Sequence, residues 1–217
     1  MKDFLSRFQG KPLDKKQIAM AMHLCYMNAK ALLDEAKLLK ENGRHARAIS
    51  LAILALEEFG KIPLICDVIM HGAHDTNAWR KFWQAFRSHR TKQIVCSTYG
   101  NKFLRVVGNK YEVEFPVGTE PLIDKFKQLG FYVSFFEDQF ILPEHFAKDN
   151  SEWLDWLLAV ADERIGSFEP LHSSLESSER LVNKGIDLLK AMRGAKSPDE
   201  LKGAITEYLE AQRRDGV

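Results

Sequence analysis

The sequence predicts a mainly α fold: a helical bundle built on a long antiparallel helix hairpin, with a small β insertion around residues 100–143. Three observations lead there. Apolar residues recur at three- and four-residue spacing through most of the chain, which is the signature of helices with one buried face. An Asn42-Gly43 stop separates the first two periodic stretches, and so short a link forces two long helices to lie antiparallel. Between Gly100 and Leu142 the pattern changes to short β-prone runs bounded by glycine, asparagine and proline.

Each element has a local reason. Asp14 can cap the first helix, with Gln17 three residues on in the capping-box position. Ile18, Met22, Cys25, Ala29, Leu33 and Ala36 supply its apolar stripe. A second helix starts at Arg44 or His45 and is expected to run to about His71, bent at Gly60 and Pro63 because proline cannot donate to the preceding turn. Asp75-Thr76-Asn77 offers caps for a third, over roughly 78–94, with Trp79, Phe82, Trp83 and Phe86 on one face. Residues 103–107 and 111–115 read as two strands around Gly108-Asn109. A short helix from Thr119 is expected to stop at Gly130. Runs 131–136 and 140–142 can then pair across Glu137-Asp138.

Helix returns after Asn150, weakens around Pro170 and continues to about Arg193. Ser197-Pro198-Asp199-Glu200 opens a last amphipathic helix. The expected organisation is a helical domain with its β insertion over 1–147, and helices over 148–217 packing on the same domain.

Composition excludes several function classes. Thirty-one basic and thirty acidic residues nearly cancel, so no global field draws in nucleic acid, and any RNA contact must come from a local basic patch. No apolar run approaches the roughly 20 residues that span a bilayer. The first sixteen residues lack a secretory apolar region, and the three cysteines form no CxxC pair, so the expected setting is cytoplasmic, with no membrane partner. Phosphate-loop, dinucleotide, zinc-protease and nucleophile-elbow signatures are missing from the sequence. His71 and His74 with Asp75 are the one local metal grouping, exposed at a helix end, and neither metal nor cofactor is expected.

Two stretches can carry chemistry. In 47–62, RAISLAILALEEFGKI, Glu57 lies four residues and Glu58 three before Lys61, so all three can meet on one side of a helix. One reading is an exposed ion pair; the other is a polar patch on a small-residue helix that packs tightly. In 79–92, His89 sits among Arg87, Arg90 and Lys92, with Arg80 and Lys81 a few turns earlier. Neighbouring cations favour the neutral imidazole, which suits a general base, and cations can hold a phosphate. The alternative is a solvated basic face that includes a histidine. Rise arithmetic on the hairpin sets Asn28 level with Glu58, since about 14 residues at about 1.5 Å each separate either one from the turn.

Four stretches together resemble the AbiV family of abortive-infection proteins, within the HEPN helical superfamily. They are Asn28-Ala29 with Leu32-Leu33 and Ala36; residues 47–61; Phe86-Arg-Ser-His-Arg-Thr-Lys92; and Lys127-Gln-Leu-Gly-Phe-Tyr-Val133 with Leu142-Pro143. The resemblance implies a HEPN-like bundle of phage defence, often dimeric, in which many relatives are metal-independent ribonucleases carrying an Arg-x(4–6)-His element. This chain departs from that element: eight residues separate Arg80 from His89, seven separate Lys81, and one separates Arg87. The candidate catalytic set is His89, Lys92, Glu58 and Lys61. Arg87, Arg90, Arg80 and Lys81 are the phosphate-binding candidates, and Asn28, Glu57 and Tyr132 the supporting ones. The partners to weigh are RNA, a phage or host protein, and a second copy of the chain. The two functional readings are an RNA-cleaving or RNA-binding effector and a non-catalytic interaction protein.

Overall fold

A computed structural model describes residues 11–72, 75–89, 91–92, 120–136 and 138–194, with a few isolated positions beyond. The chain is mainly α, and its centre is a helix that is buried almost all round. Helix α1 (Lys15–Glu41) starts on the expected capping box, Asp14 accepting from the Gln17 amide while the Gln17 side chain accepts from the Asp14 amide. It stops at Asn42, and Gly43 takes a φ of 70°, which glycine adopts without strain.

The next helix is not one bent rod but two. Helix α2 (His45–Phe59) ends at Gly60, and α3 (Lys61–Gly72) begins at once, with Pro63 in its first turn, where a missing N–H costs nothing. Ala46, Ala48, Ile49, Ala52, Ile53, Ala55, Leu56 and Phe59 are all buried in α2, so neighbours cover it on several sides. Alanines make that possible because they let α1, α5, α6 and α7 approach its backbone closely.

Helix α4 (Thr76–Arg87) is capped by Asp75 and buries Trp79 and Phe82, which meet edge to face. It is shorter than the sequence predicts. Ser88 leaves helical geometry (φ −80°, ψ 117°), and its hydroxyl accepts from the Thr91 amide at 3.2 Å while its carbonyl accepts from the Lys92 amide. A serine that can cap a new turn competes with continuing the old one. His89, Thr91 and Lys92 are helical again beyond that break.

Helix α5 (Glu120–Phe131) runs through Gly130 instead of stopping there. A Cβ at that position would fall under 3.0 Å from the Ser50 hydroxyl and the Ala46 carbonyl oxygen, so the glycine serves close packing on α2. Strands β1 (Ser134–Phe136) and β2 (Gln139–Ile141) pair antiparallel, Phe135 opposite Phe140, around Asp138 at φ 62°. This confirms the expected hairpin but delays its first strand by three residues, because α5 continues. The strands predicted at 103–107 and 111–115 lie outside the described residues, as does the last predicted helix apart from isolated positions.

Helix α6 (Pro143–Asp149), unforeseen in the sequence, uses Pro143 at its first position. Helices α7 (Ser151–Ser167), α8 (Glu169–His172) and α9 (Leu175–Gly194) complete the described part. Helix α7 packs on α2 and α1, and α9 on α1 and α3, so Leu157, Ile165 and Val182 join the same apolar core as Met22 and Ile53. No helix among the described residues is long and apolar enough to cross a membrane.

Candidate functional site

Because α2 is central, its last turn carries a carboxylate into the core. Glu57 is 1% exposed, and each of its two oxygens has a cationic or imidazole partner. Burying a carboxylate is costly unless it is paired and hydrogen-bonded. Oε1 accepts from Lys127 Nζ at 2.8 Å, and Oε2 accepts from His89 Nδ1 at 2.5 Å. Lys92 Nζ stands 4.0 Å from Oε2.

Two separate elements supply those partners. His89 and Lys92 come from the turn that Ser88 starts, and Lys127 from the middle of α5. Gly60 admits the 89–92 turn, since a Cβ there would lie 2.5 Å from the Lys92 carbonyl oxygen. Ser50 on α2 donates to the Lys127 carbonyl at 2.8 Å, fixing α5 at the height of Glu57.

The other carboxylate of the pair does something different. Glu58 is ion-paired to Lys61, and the Lys61 ammonium also sits over the Phe86 ring, 5.0 Å from its centroid. Of the two spacings legible in the sequence, the three-residue pair forms and the four-residue pair does not. Glu57 is left for His89 and Lys127.

The electrostatics of the lysines follow from burial and pairing. Burial pushes the pKa of Lys92 down, Glu57 opposes that, and Lys61 and Lys127 add to the lowering. Lys127 feels the same burial, but its hydrogen bonds to Glu57 and Asp124 outweigh it and its pKa is raised. Asp124 Oδ1 lies 2.9 Å from Lys127 Nζ. Around the dyad, Glu57, Glu58 and Asp124 balance Lys61, Lys92 and Lys127.

Geometry orients the imidazole. With Lys127 on one oxygen, Glu57 is an acceptor, so His89 donates Nδ1–H to the other oxygen. The neutral ring then keeps its lone pair on Nε2, across the ring. The His89 side chain is 58% exposed, so the ring meets solvent while Nδ1 stays anchored. An exposed imidazole oriented in this way by a buried carboxylate can take up and return a proton at Nε2.

The remaining sequence candidates fall in different places. Arg80, Lys81 and Arg87 are exposed on α4, and Arg80 donates to the Asn77 side chain at 2.7 Å. Arg90 lies outside the described residues, as do His74 and the side chain of His71. Among the described residues, no group of three His, Cys, Asp or Glu side chains could hold a metal ion.

Asn28 does not join the cluster. It is exposed on α1, and the residue of α1 that senses the cluster is Cys25, one turn earlier. Burial pushes the Cys25 thiol up to about 12, with Lys61, Glu58 and Lys92 as its charged neighbours. The rise arithmetic found the level to within a turn, but Asn28 points away. Tyr132 is also apart: it is 61% exposed beyond the end of α5, its ring beside Phe131.

Sequence reasoning overlooked Lys127 and Asp124. The signal was present, since a carboxylate three residues before a lysine on an amphipathic helix is a supported pair. Nothing local to α5 indicates that this lysine is buried.

A mainly α bundle with a histidine-bearing turn laid on a buried carboxylate defines a HEPN-like helical domain. The family model HEPN_AbiV, described as AbiV, matches residues 17–162, and the chain belongs to the AbiV family. That membership points to abortive infection, a phage-defence role. Searches of curated proteins and of solved structures gave no match.

Proposed function

We propose that the protein is a metal-independent endoribonuclease of phage defence, acting in the cytoplasm, with His89 as its proton-transfer residue. The observation that carries this reading is the Glu57–His89 hydrogen bond, which anchors Nδ1 and leaves an exposed ring with Nε2 to act. In this reaction His89 Nε2 takes the proton of an RNA 2′-hydroxyl, and the 2′-oxygen attacks the adjacent phosphorus. The bond from phosphorus to the 5′-oxygen breaks, leaving a cyclic phosphate and a 5′-hydroxyl. The leaving oxygen needs a proton donor, and a protonated His89 from a second copy of the chain fits that need.

Arg87, one residue before the break at Ser88, is the exposed cation best placed in sequence to hold the phosphate. Lys92, buried behind the dyad, offsets negative charge that develops there. Lys61 and Glu58, engaged with each other, shape the wall of the site instead of touching substrate.

A second reading has its own support. The cluster lysines already have carboxylate partners, the net charge is +1, and the Arg-x(4–6)-His spacing is missing from the chain. In that reading the polar centre stabilises the fold, and defence works by binding a phage or host protein.

The test incubates the purified full chain with labelled cellular RNA, with and without EDTA, beside His89→Ala. Cleavage that survives EDTA and falls by about 100-fold or more in the variant fits general acid–base catalysis. Wild type and variant equally inert on RNA, with phage protection intact in both, would sink the nuclease.

A further inference from the structure

We infer that Lys127 is a positioning residue: through Glu57 it fixes which nitrogen of His89 carries the proton. This rests on the role of His89 proposed above and extends it to a residue of α5 that never meets substrate.

The inference stands on geometry. His89 bonds one oxygen of Glu57, and Lys127 occupies the other at 2.8 Å. The ammonium keeps the carboxylate ionised inside the core, and an ionised carboxylate can only accept. His89 must therefore present Nδ1–H, with Nε2 left as the base. Lys127 also lowers the charge that Glu57 offers the ring.

The placement of Lys127 is built in at several points. Ser50 clamps its carbonyl, Gly130 lets α5 settle onto Ala46 and Ser50, and Asp124 holds the same ammonium from its own helix. Among the described residues, the other charged or titratable groups facing the dyad include Lys92 at 4.0 Å from Glu57, then Glu58, Lys61 and Cys25 around it. Lys127 at 2.8 Å is thus a nearer cation to Glu57 than Lys92 at 4.0 Å.

The experiment reads His89 directly, without RNA. Imidazole nitrogen and carbon resonances of the full chain, labelled at histidine, are followed from pH 5 to 9 in wild type, Lys127→Met, Lys127→Arg and Asp124→Asn. Expected in wild type is a neutral ring form that carries its proton on Nδ1. In Lys127→Met that tautomer is lost, because a buried Glu57 without its ammonium takes up a proton and can donate to the ring. Lys127→Arg and Asp124→Asn keep it, since a cation still binds Glu57.

Should Lys127→Met fail to fold, Lys127→Gln, which removes the charge and keeps a hydrogen-bond donor, takes its place. The same Nδ1–H tautomer in the charge-removed variant overturns the inference, as does a wild-type ring protonated at Nε2. Failure of the nuclease reading shows elsewhere: an inert chain whose His89 shows the expected tautomers removes the RNA chemistry and leaves the role of Lys127 intact.

Discussion

Two histidine centres of this molecule share a residue type and little else. His89 lies at the surface with Nδ1 anchored on a buried carboxylate. His172, at the end of α8, is fully buried, and no carboxylate among the described residues pairs with it. It shares a 3.0 Å hydrogen bond with the Ser178 hydroxyl, stacks on Phe168, and its carbonyl accepts from His23 Nδ1 at 2.8 Å. Nε2 of His172 has no hydrogen-bond partner among the described residues. Burial first, and then His23, push the His172 pKa down to about 4.

The difference shows what a histidine needs for proton chemistry. His172 is locked neutral, which suits a helix junction, while His89 combines exposure with a charge that orients it.

The sharpest way to break the contrast is to remove the carboxylate. Glu57→Ala leaves Lys127 and Lys92 buried without it, and such losses destabilise by about 3–5 kcal/mol. Urea unfolding at neutral pH should show a loss of that size, with a smaller one for Glu57→Gln, which keeps an acceptor.

Acid tests the other centre. The His172 pKa is about 4 in the folded chain against 6.5 in the unfolded one. Between those values the unfolded chain binds the extra proton and the folded one does not. Stability is therefore full above pH 6.5 and lost as the pH falls toward 4, by about 3 kcal/mol in all. Denaturant titrations across that window should show the slope, and His172→Gln should flatten it.

Next in size is the anchoring of α5. Gly130→Ala forces a methyl against backbone and hydroxyl atoms of α2 and should cost about 1–3 kcal/mol. Gly166→Ala, on α7 with nothing within 4 Å of its new Cβ, should instead raise stability by about 0.5–1 kcal/mol. Thermal melts of the pair should move in opposite directions. The smallest effect on stability is expected for His89→Ala, within about 1 kcal/mol, since the ring is mostly exposed and Glu57 keeps Lys127. A larger loss would place His89 with His172 as a structural residue.

How far the site was readable varies by residue. His89 and Lys92 stood out through their company on a basic, aromatic stretch, and Glu57 and Glu58 through their spacing from Lys61. What spacing could not decide is which carboxylate goes inside. That choice depends on how deeply α2 is packed, and its alanine-rich surface shows its meaning only once α1, α5, α6 and α7 are in place. Lys127 was hidden for the same reason. Asn28 was misplaced because a level along a helix says nothing about which way a side chain points.

By itself the sequence determined what is local: the capping box at Asp14, the glycine stop at Gly43, the helical periods of α1 and α7, and the tight hairpin at 134–141. These follow from hydrogen bonds and backbone preferences within a few residues. Only the tertiary structure decided the rest. The use of Gly60 and Gly130 for close packing, and the meeting of Glu57, His89 and Lys127, depend on contacts between residues 32 to 84 positions apart. Such contacts leave no local trace, because their energy comes from burying a charge among partners that the chain brings together only when it folds.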